Sequence, residues 1–296
     1  MNTRISKSLG DRIFIAADYI ILFIVTLTCL LPMLHVVALS FSDSVSAATN
    51  SVLFIPKGFN VAAYETMFSN PIFLNSFFVS IYRTVLGTAI NLILAIMAAY
   101  PLSKEDSELR GRKYISLFFI IPMMVSGGLI PNYLLVNNLG LMDTLWSLIL
   151  PGCLPIGNVV LMMNFFRGIN KSIFESAEID GANDFIILLR IALPLATASI
   201  ATVTLFQMVG HWNEWFGATI YINDRNKWPL QTLLRQMLTN IDYNSFSAES
   251  LGKLRLLSDR SFRGAMIVFA TAPILCVYPF MQKYFVSGIT IGSVKE

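Results

Sequence analysis

Six stretches of this chain, 19–42, 84–103, 114–142, 144–166, 191–213 and 264–282, run for 19 residues or more without Asp, Glu, Lys or Arg. A helix rises 1.5 Å per residue and needs about 20 apolar residues to cross the hydrocarbon layer of a bilayer, so each stretch is long enough to span. The chain is 55% hydrophobic and 13% charged, about half the charge of a soluble domain, and has too little polar surface to keep six such stretches in water. Backbone groups in lipid must be satisfied by a helix or a closed barrel. The runs are continuously apolar and rich in Leu, Ile, Ala and Met, whereas barrel strands alternate over about 10 residues. The expected fold is therefore an all-α integral membrane protein with six transmembrane helices. Pro122, Pro131, Pro151, Pro155 and Pro273, with Gly127 and Gly128, predict kinks or breaks in the third, fourth and sixth spans; Pro32 lies in the first.

Arg4, Lys7 and Arg12 precede the first run as they would in a signal peptide. That run is 24 residues long, against about 7 to 15 for a signal core, so it reads as a span, preceded by a short interfacial helix over 5–18. With the N-terminus inside, the inner segments hold twelve basic residues and the outer ones nine. Without the segment 224–263 the ratio is twelve to two, the cytoplasmic excess that sets orientation. The order is N-in, six helices, C-in. Outer loops fall at 43–68, around Asp143 and at 224–260; inner loops fall at 104–113 and 167–190. Residues 1–70, holding the interfacial segment, first helix and first outer loop, read as an appendage to a core of five helices over 71–296. Arg83, at the outer edge of the second span, is expected to snorkel to headgroups.

Cys29, Cys153 and Cys276 all lie within spans without ligand spacing and read as small buried side chains. A net charge of +3, with no basic helix or zinc pattern, gives no footprint for nucleic acid.

The second inner loop is unusual. Within 175–184 it places Glu175, Glu178, Asp180 and Asp184 between two apolar runs. Ser172 followed by Glu175 has the spacing of a capping box and predicts a helix from Ile173. On a 3.6-residue period Ile173, Phe174, Ala177 and Gly181 share a narrow face, on which Ala177 and Gly181 permit close approach of a second surface. A helix lying on the anionic inner leaflet would be rich in Lys and Arg, so a protein groove suits this acidic helix better than lipid.

Glu175-Ser176-Ala177, then Asp180-Gly181-Ala182, then Ile191, Leu193 and Pro194 resemble the EAA loop of bacterial ABC importer permeases: E-A-A, two residues, D-G-A, about eight residues, I-x-L-P. Ser176 stands where Ala is usual. The stretch SGGLIPNYLLVNNLGLMDTLWSLILPG (126–152), HWNEWF (211–216), WPLQTLL (228–234) and the tail GITIGSVKE resemble carbohydrate-importing permeases related to the maltose permease pair. The likeness extends to the branch credited with uptake of oligouronides and polysaccharide fragments. It implies a type I ABC importer permease fold with a cytoplasmic coupling helix in 167–194, where Glu175, Ala177, Asp180, Gly181 and Ala182 couple to the ATPase. It also implies partners: a second, nonidentical permease subunit, a cytosolic ABC ATPase dimer that binds ATP and Mg, and an extracytoplasmic solute-binding protein. This chain would carry no cofactor, sit in a bacterial inner membrane and pass an oligosaccharide.

The HWNEWF run sits at the outward end of the fifth span. Trp212, Trp215 and Phe216 offer flat faces to sugar rings and Asn213, Glu214 and His211 offer hydroxyl partners, although aromatic residues also collect at membrane interfaces as anchors. Gln207, deeper in the same span, should face the bundle interior, bonding either a substrate or another helix. Tyr133, after the Gly and Pro breaks, lines a pathway if that helix is interrupted. The basic segment 224–263 is either a solvated face or a receiver for an acidic protein or anionic sugar. An integral membrane enzyme would need a nucleophile, metal set or acid-base pair, and with two histidines and no HExxH or GxSxG the chain lacks one. A channel would need a selectivity filter. A permease for a non-sugar solute stays open, and with no G-x-x-x-x-G-K-[ST] loop any ATP hydrolysis belongs to another chain.

Overall fold

The structure, a computed structural model, describes residues 9–125, 127–239 and 258–292. Arg4, Lys7, Ser126, Lys253, Arg255 and Lys295 lie outside the described residues. Every regular element among the described residues is helical: α1 (Leu9–Ser40), α2 (Ser44–Ala48), α3 (Ala62–Phe68), α4 (Pro71–Ser103), α5 (Arg112–Met124), α6 (Leu129–Asn138), α7 (Trp146–Ile149) and α8 (Ile156–Arg167). They are followed by α9 (Lys171–Ile179), α10 (Asp184–Ile187), α11 (Leu193–Leu195), α12 (Thr197–Asn213), α13 (Phe216–Tyr221), α14 (Leu230–Thr239) and α15 (Asp259–Gly292). Three helices, Gly10–Ser40, Pro71–Ser103 and Asp259–Phe280, are long and apolar enough to cross a membrane, and up to six spans result if three bent pairs each count as one.

The third run is interrupted between Met124 and Leu129, where Gly128 takes a positive φ of 82°. The fourth bends by 51° between Trp146–Gly152 and Ile156–Arg167, at Pro151 and Pro155, as their missing N–H groups predict. The sixth run, where a kink or break is expected, is not broken. α15 passes unbroken through Pro273 and Pro279, as membrane helices can when neighbouring groups and local adjustments satisfy the freed carbonyls. The broken span is instead the fifth, bent by 81° between Asp184–Leu195 and Thr197–Asn213. Pro194 is the cause missed in the sequence: it removes one backbone donor, and the π-helical turn Leu188–Ala192 lies immediately before it.

The chain divides into two compact units. The first comprises Met1–Asn70 and Asp242–Thr271. α1 is continuous from Leu9 through Pro32, so from that residue on the expected interfacial helix is simply the start of the span. Ile13, Phe14, Ile21 and Phe23 are exposed along it, as suits a helix solvated by lipid. Beyond its end Asp43 accepts the N–H groups of Val45 and Ser46 at 3.0 and 2.9 Å and caps α2. Phe41 stacks on Phe59 and Tyr64, and the Tyr64 hydroxyl donates to Ser40 Oγ at 2.8 Å. Ala265 and Met266 at the start of α15 are fully buried in this unit.

The second unit comprises Pro71–Ile241 and Ala272–Glu296 and is organised around α4, on which α8, α12 and α14 pack. Between the buried large residues Phe73 at one end and Tyr100 and Leu102 at the other, the buried face of α4 reads Ser76, Ser80, Arg83, Thr84, Gly87, Thr88, Asn91, Ala95 and Ala99. These are small or polar residues at helical spacing, while Phe78, Tyr82, Val85, Ile93 and Met97 point outward. In lipid the hydrophobic effect does not drive helix association, so close backbone approach and interhelical hydrogen bonds select the inner face. The expected start of this span at Thr84 is corrected: α4 begins at Pro71, which places Arg83 roughly 18 Å along it.

Candidate functional site

The loop 167–194 is held by local hydrogen bonds that its sequence specifies. The Ser172–Glu175 capping box is not formed. Asn170, at least as good a cap and two residues earlier, accepts the Ser172 N–H at 3.1 Å and starts α9 at Lys171. At the other end Gly181 takes φ +81°. Its N–H donates to the Glu178 carbonyl at 3.0 Å, and the Ala182 N–H to the Ala177 carbonyl at 2.9 Å. This is the Schellman arrangement, in which the D-G-A triplet supplies cap, left-handed turn and closing donor. Asn183 then caps α10 by accepting the Ile186 N–H at 2.9 Å.

Within this frame Glu175, Asp180 and Gly181 are exposed and Ala182 is half-buried. Ala177 turns inward, joining a buried cluster with Ala99, Tyr100, Met162, Phe166 and Ile187. Its small side chain seats α9 on α4 and α8. Polar contacts reinforce the seating. Lys171 pairs with Glu105 and Lys104 with Asp184, Arg167 donates to the Leu102 carbonyl at 3.0 Å, and Arg112 reaches Asp106 at 2.7 Å and the Lys104 carbonyl at 2.9 Å. The hydrogen bond from Lys171, then its charge, holds the Glu105 carboxyl below the usual range, and the Glu105 acceptor raises Lys171 in turn. A cavity of about 430 Å³ opens beside this contact, lined by Lys104, Glu105, Arg112, Lys171, Glu175 and Glu178 among others. Ile179 is 86% exposed and Phe185 68%, which leaves an apolar edge next to the acidic helix.

At membrane depth the structure gathers a polar cluster. Arg83, 2% exposed, pairs with Glu214 Oε2 at 2.7 Å and donates to the carbonyls of His211 at 3.2 Å, Glu214 at 3.0 Å and Leu148 at 3.4 Å. The expectation that it snorkels to headgroups is therefore corrected. A scan for charge-free runs stops at Arg83 because it cannot see the carboxylate that answers it 131 residues later. The carbonyls it satisfies lie at the C-terminal end of α12 and in α7, beside the bend of the fourth run, where backbone acceptors lose helical partners.

Gln207 is buried, as its polarity predicts, and meets Asn91. In the amide orientation that satisfies its surroundings, Asn91 donates to the carbonyls of Cys153 and Gly87 at 3.0 and 3.1 Å. Its oxygen then lies 3.0 Å from His211 Nε2, which donates when the proton is on that nitrogen, and 2.9 Å from Gln207 Oε1, so that the Gln207 amide must be turned as well to donate. Gly87 is required beside the ring, because a Cβ there would lie 2.6 Å from His211. A cavity of about 290 Å³ is lined by Arg83, Asn91, Ser147, Gln207, Glu214 and Tyr221 among others.

The remaining candidates lie around this cavity rather than in it. Tyr133 stacks on Tyr221 with centroids 6.4 Å apart. Trp212 is buried, packs edge-on to Phe77 and lines a separate apolar groove. Asn213 is exposed. Trp215 is half-buried beneath the Arg235 guanidinium, 4.1 Å from its ring centroid. Sequence reasoning missed the Arg83–Glu214 pair and Tyr221; the available signal was one arginine and one glutamate, each at the edge of an apolar run.

The segment from Asp224 is not an open loop over its described part. Arg225–Lys227 form a 3-10 turn and α14 buries Leu230, Leu233, Leu234 and Met237. Lys227 Nζ donates to the Asp143 carbonyl at 2.9 Å and lies 3.3 Å from its Oδ2. The N–H groups of Asp224 and Asn223, with Lys227, lower the Asp143 pKa against the effect of desolvation.

A helical protein with long apolar helices, several of them bent, a buried polar cluster and an acidic capped helix packed on its neighbours has the architecture of a transport permease. No family model matches the chain. The permease protein YtcP of a polygalacturonan/rhamnogalacturonan transport system of Bacillus subtilis (strain 168) is 40% identical over 285 residues, covering 96% of this chain and 99% of the relative. One chain of the solved bacterial ABC transporter involved in import of the acidic polysaccharide alginate superposes with a TM-score of 0.86 at 32% identity, covering 94% of this chain and 99% of its own. A chain from the alginate transporter in complex with its alginate pentasaccharide-bound periplasmic protein shares the fold at a TM-score of 0.57 and 15% identity, covering 91% and 93%. The chain belongs to the permease subunits of carbohydrate-importing ABC transporters. It is a transport subunit rather than an enzyme, like those relatives.

Proposed function

We propose that this chain forms half of the translocation path of a binding-protein-dependent importer of acidic oligosaccharides in a bacterial inner membrane. The partners are a second, nonidentical permease subunit, an extracytoplasmic solute-binding protein and a cytosolic ATPase dimer that binds ATP and Mg. The chain crosses the membrane six times with both termini inside, each bent pair counting as one span, and residues 1–70 are an appendage to the core 71–296. The basic inner segments support this orientation, and the acidic cargo of the relatives supports the substrate class.

The observation that carries the reading is the geometry of the EAA loop. Glu175, Asp180 and Gly181 are presented at the surface by a double cap with Ala182 half-buried beside them, while Ala177 packs α9 against α4 and α8, Lys171 pairs with Glu105 just beyond α4, and Lys104 pairs with Asp184 at the start of α10. A push delivered to α9 by ATPase closure then moves the inner ends of spans that converge on the polar cluster. Gln207, Tyr133 and Asn213 line the path, with Trp212 and Trp215 as its aromatic supports. The test is Gly181→Arg with a single reporter cysteine at Glu175. The variant should insert normally, label only from the cytoplasmic side and lose transport; normal uptake, or labelling from outside, refutes the coupling role.

A further inference from the structure

The Arg83 guanidinium is used unevenly. Its Nη1 donates to two backbone carbonyls, and Nη2 holds a third carbonyl and one oxygen of Glu214. Nε, which shares an edge with Nη2, is buried and has no hydrogen-bond partner. A carboxylate with both oxygens free fills that edge with two parallel bonds, the stronger and more specific arrangement. Glu214 offers only one oxygen because its Oε1 accepts the Gly217 N–H. The Glu214 side chain is 34% exposed and that of Arg83 3%, while the Glu214 oxygen that meets Arg83 is itself buried and accepts no hydrogen bond besides this ion pair. A buried donor without a partner, on the one arginine that is buried among the described residues, asks for a functional explanation.

The adjoining cavity of about 290 Å³ is at the low end of ligand pockets, which start near 300 Å³, and suits one sugar ring rather than a chain. Gln207, Ser147 and Tyr221 on its wall can meet ring hydroxyls.

We propose that Arg83 recognises the carboxylate of a uronate ring as it passes, and that Glu214 is a resident counter-ion which this carboxylate displaces from the Nε–Nη2 edge. Glu214 keeps its Gly217 N–H when displaced. A neutral ring leaves the Arg83–Glu214 pair closed and meets only the hydroxyl-binding wall. Selection for acidic cargo thus lies within the permease, apart from whatever selection the binding protein makes. This rests on the acidic-oligosaccharide reading above.

The experiment uses the complete importer in lipid nanodiscs with its binding protein and two matched ligands, an oligogalacturonide and the same oligosaccharide methyl-esterified. Ligand-stimulated ATP hydrolysis is titrated for the wild type, Glu214→Gln and the double variant Arg83→Gln/Glu214→Gln. Any preference of the binding protein cancels when acid-to-ester ratios are compared between variants. Glu214→Gln, near-isosteric and retaining the cation, should lower the half-saturating acid concentration about tenfold relative to the ester. The double variant, which removes both charges together, should reduce the acid-to-ester preference about tenfold. Ratios within twofold of wild type for Glu214→Gln, or equal loss of both responses in the double variant, show that Arg83 only staples backbone and overturn the proposal. A wild-type importer that answers neither ligand instead overturns the acidic-oligosaccharide reading on which it depends.

Discussion

Replacing Gly181 by Ala isolates one physical term in the coupling loop. A Cβ built at Gly181 meets nothing within 4 Å, so the substitution adds no clash and its cost is that of holding an L-residue at φ +81°. That cost is about 1–2 kcal/mol, equivalent to roughly a 5- to 30-fold shift in an equilibrium. The state it disfavours is the capped one, in which the Gly181 and Ala182 amides bond the Glu178 and Ala177 carbonyls. Hydrogen exchange of those two amides should accelerate by about that factor. Asn tolerates the left-handed region better than Ala, so Gly181→Asn should accelerate exchange less. Transport per ATP hydrolysed should fall in the same order, Gly above Asn above Ala. Equal exchange in the Ala and Asn variants, or unchanged exchange in Ala, would refute the assignment of this glycine to backbone conformation.

Gly87 is the opposite case, since it is helical and its hypothetical Cβ would lie 2.6 Å from the His211 ring. Gly87→Ala should destabilise the purified complex by about 1–3 kcal/mol, and adding His211→Ala should recover part of that in a thermal melt. Asp143 has a lowered pKa owing to the Asp224 N–H, Lys227 and the Asn223 N–H. Its contribution is therefore present above about pH 3.9 and lost only as pH falls through the lower folded value. Hydrogen exchange at Asn223 and Asp224 should hold steady from pH 7 to 5 after correction for intrinsic rates, while Asp143→Asn accelerates it at both. Glu105 is lowered and Lys171 raised, so their link operates above the usual carboxylate range and below the usual lysine range. Lys171→Glu should weaken coupling modestly and salt-dependently, and the exchange Lys171→Glu/Glu105→Lys should restore it; failure of the exchange to restore transport coupling would assign the loss to something other than this pair.

Several features needed no coordinates because their causes are local. Length without charge announced the membrane helices, and prolines with paired glycines marked the interruptions of the third and fourth runs. The E-S-A, D-G-A spacing is legible for the same reason: a Schellman cap is built within six consecutive residues, so its glycine can be named from sequence. Errors arose where two local signals competed or one was overlooked. Asn170 displaced Ser172 as cap, and Pro194 was absent from the prolines used to place breaks.

What sequence alone determined about this protein is its class and its punctuation, namely that long apolar helices dominate it and where an acidic capped helix interrupts them. Only tertiary structure decided which polar residues answer one another. The inner face of α4 is small and polar, so no hydrophobic periodicity points to it. The partners of Arg83 lie 65 to 131 residues away on separately broken helices. A charge in lipid must be neutralised by something, and chain order carries no record of what comes within 3 Å of it.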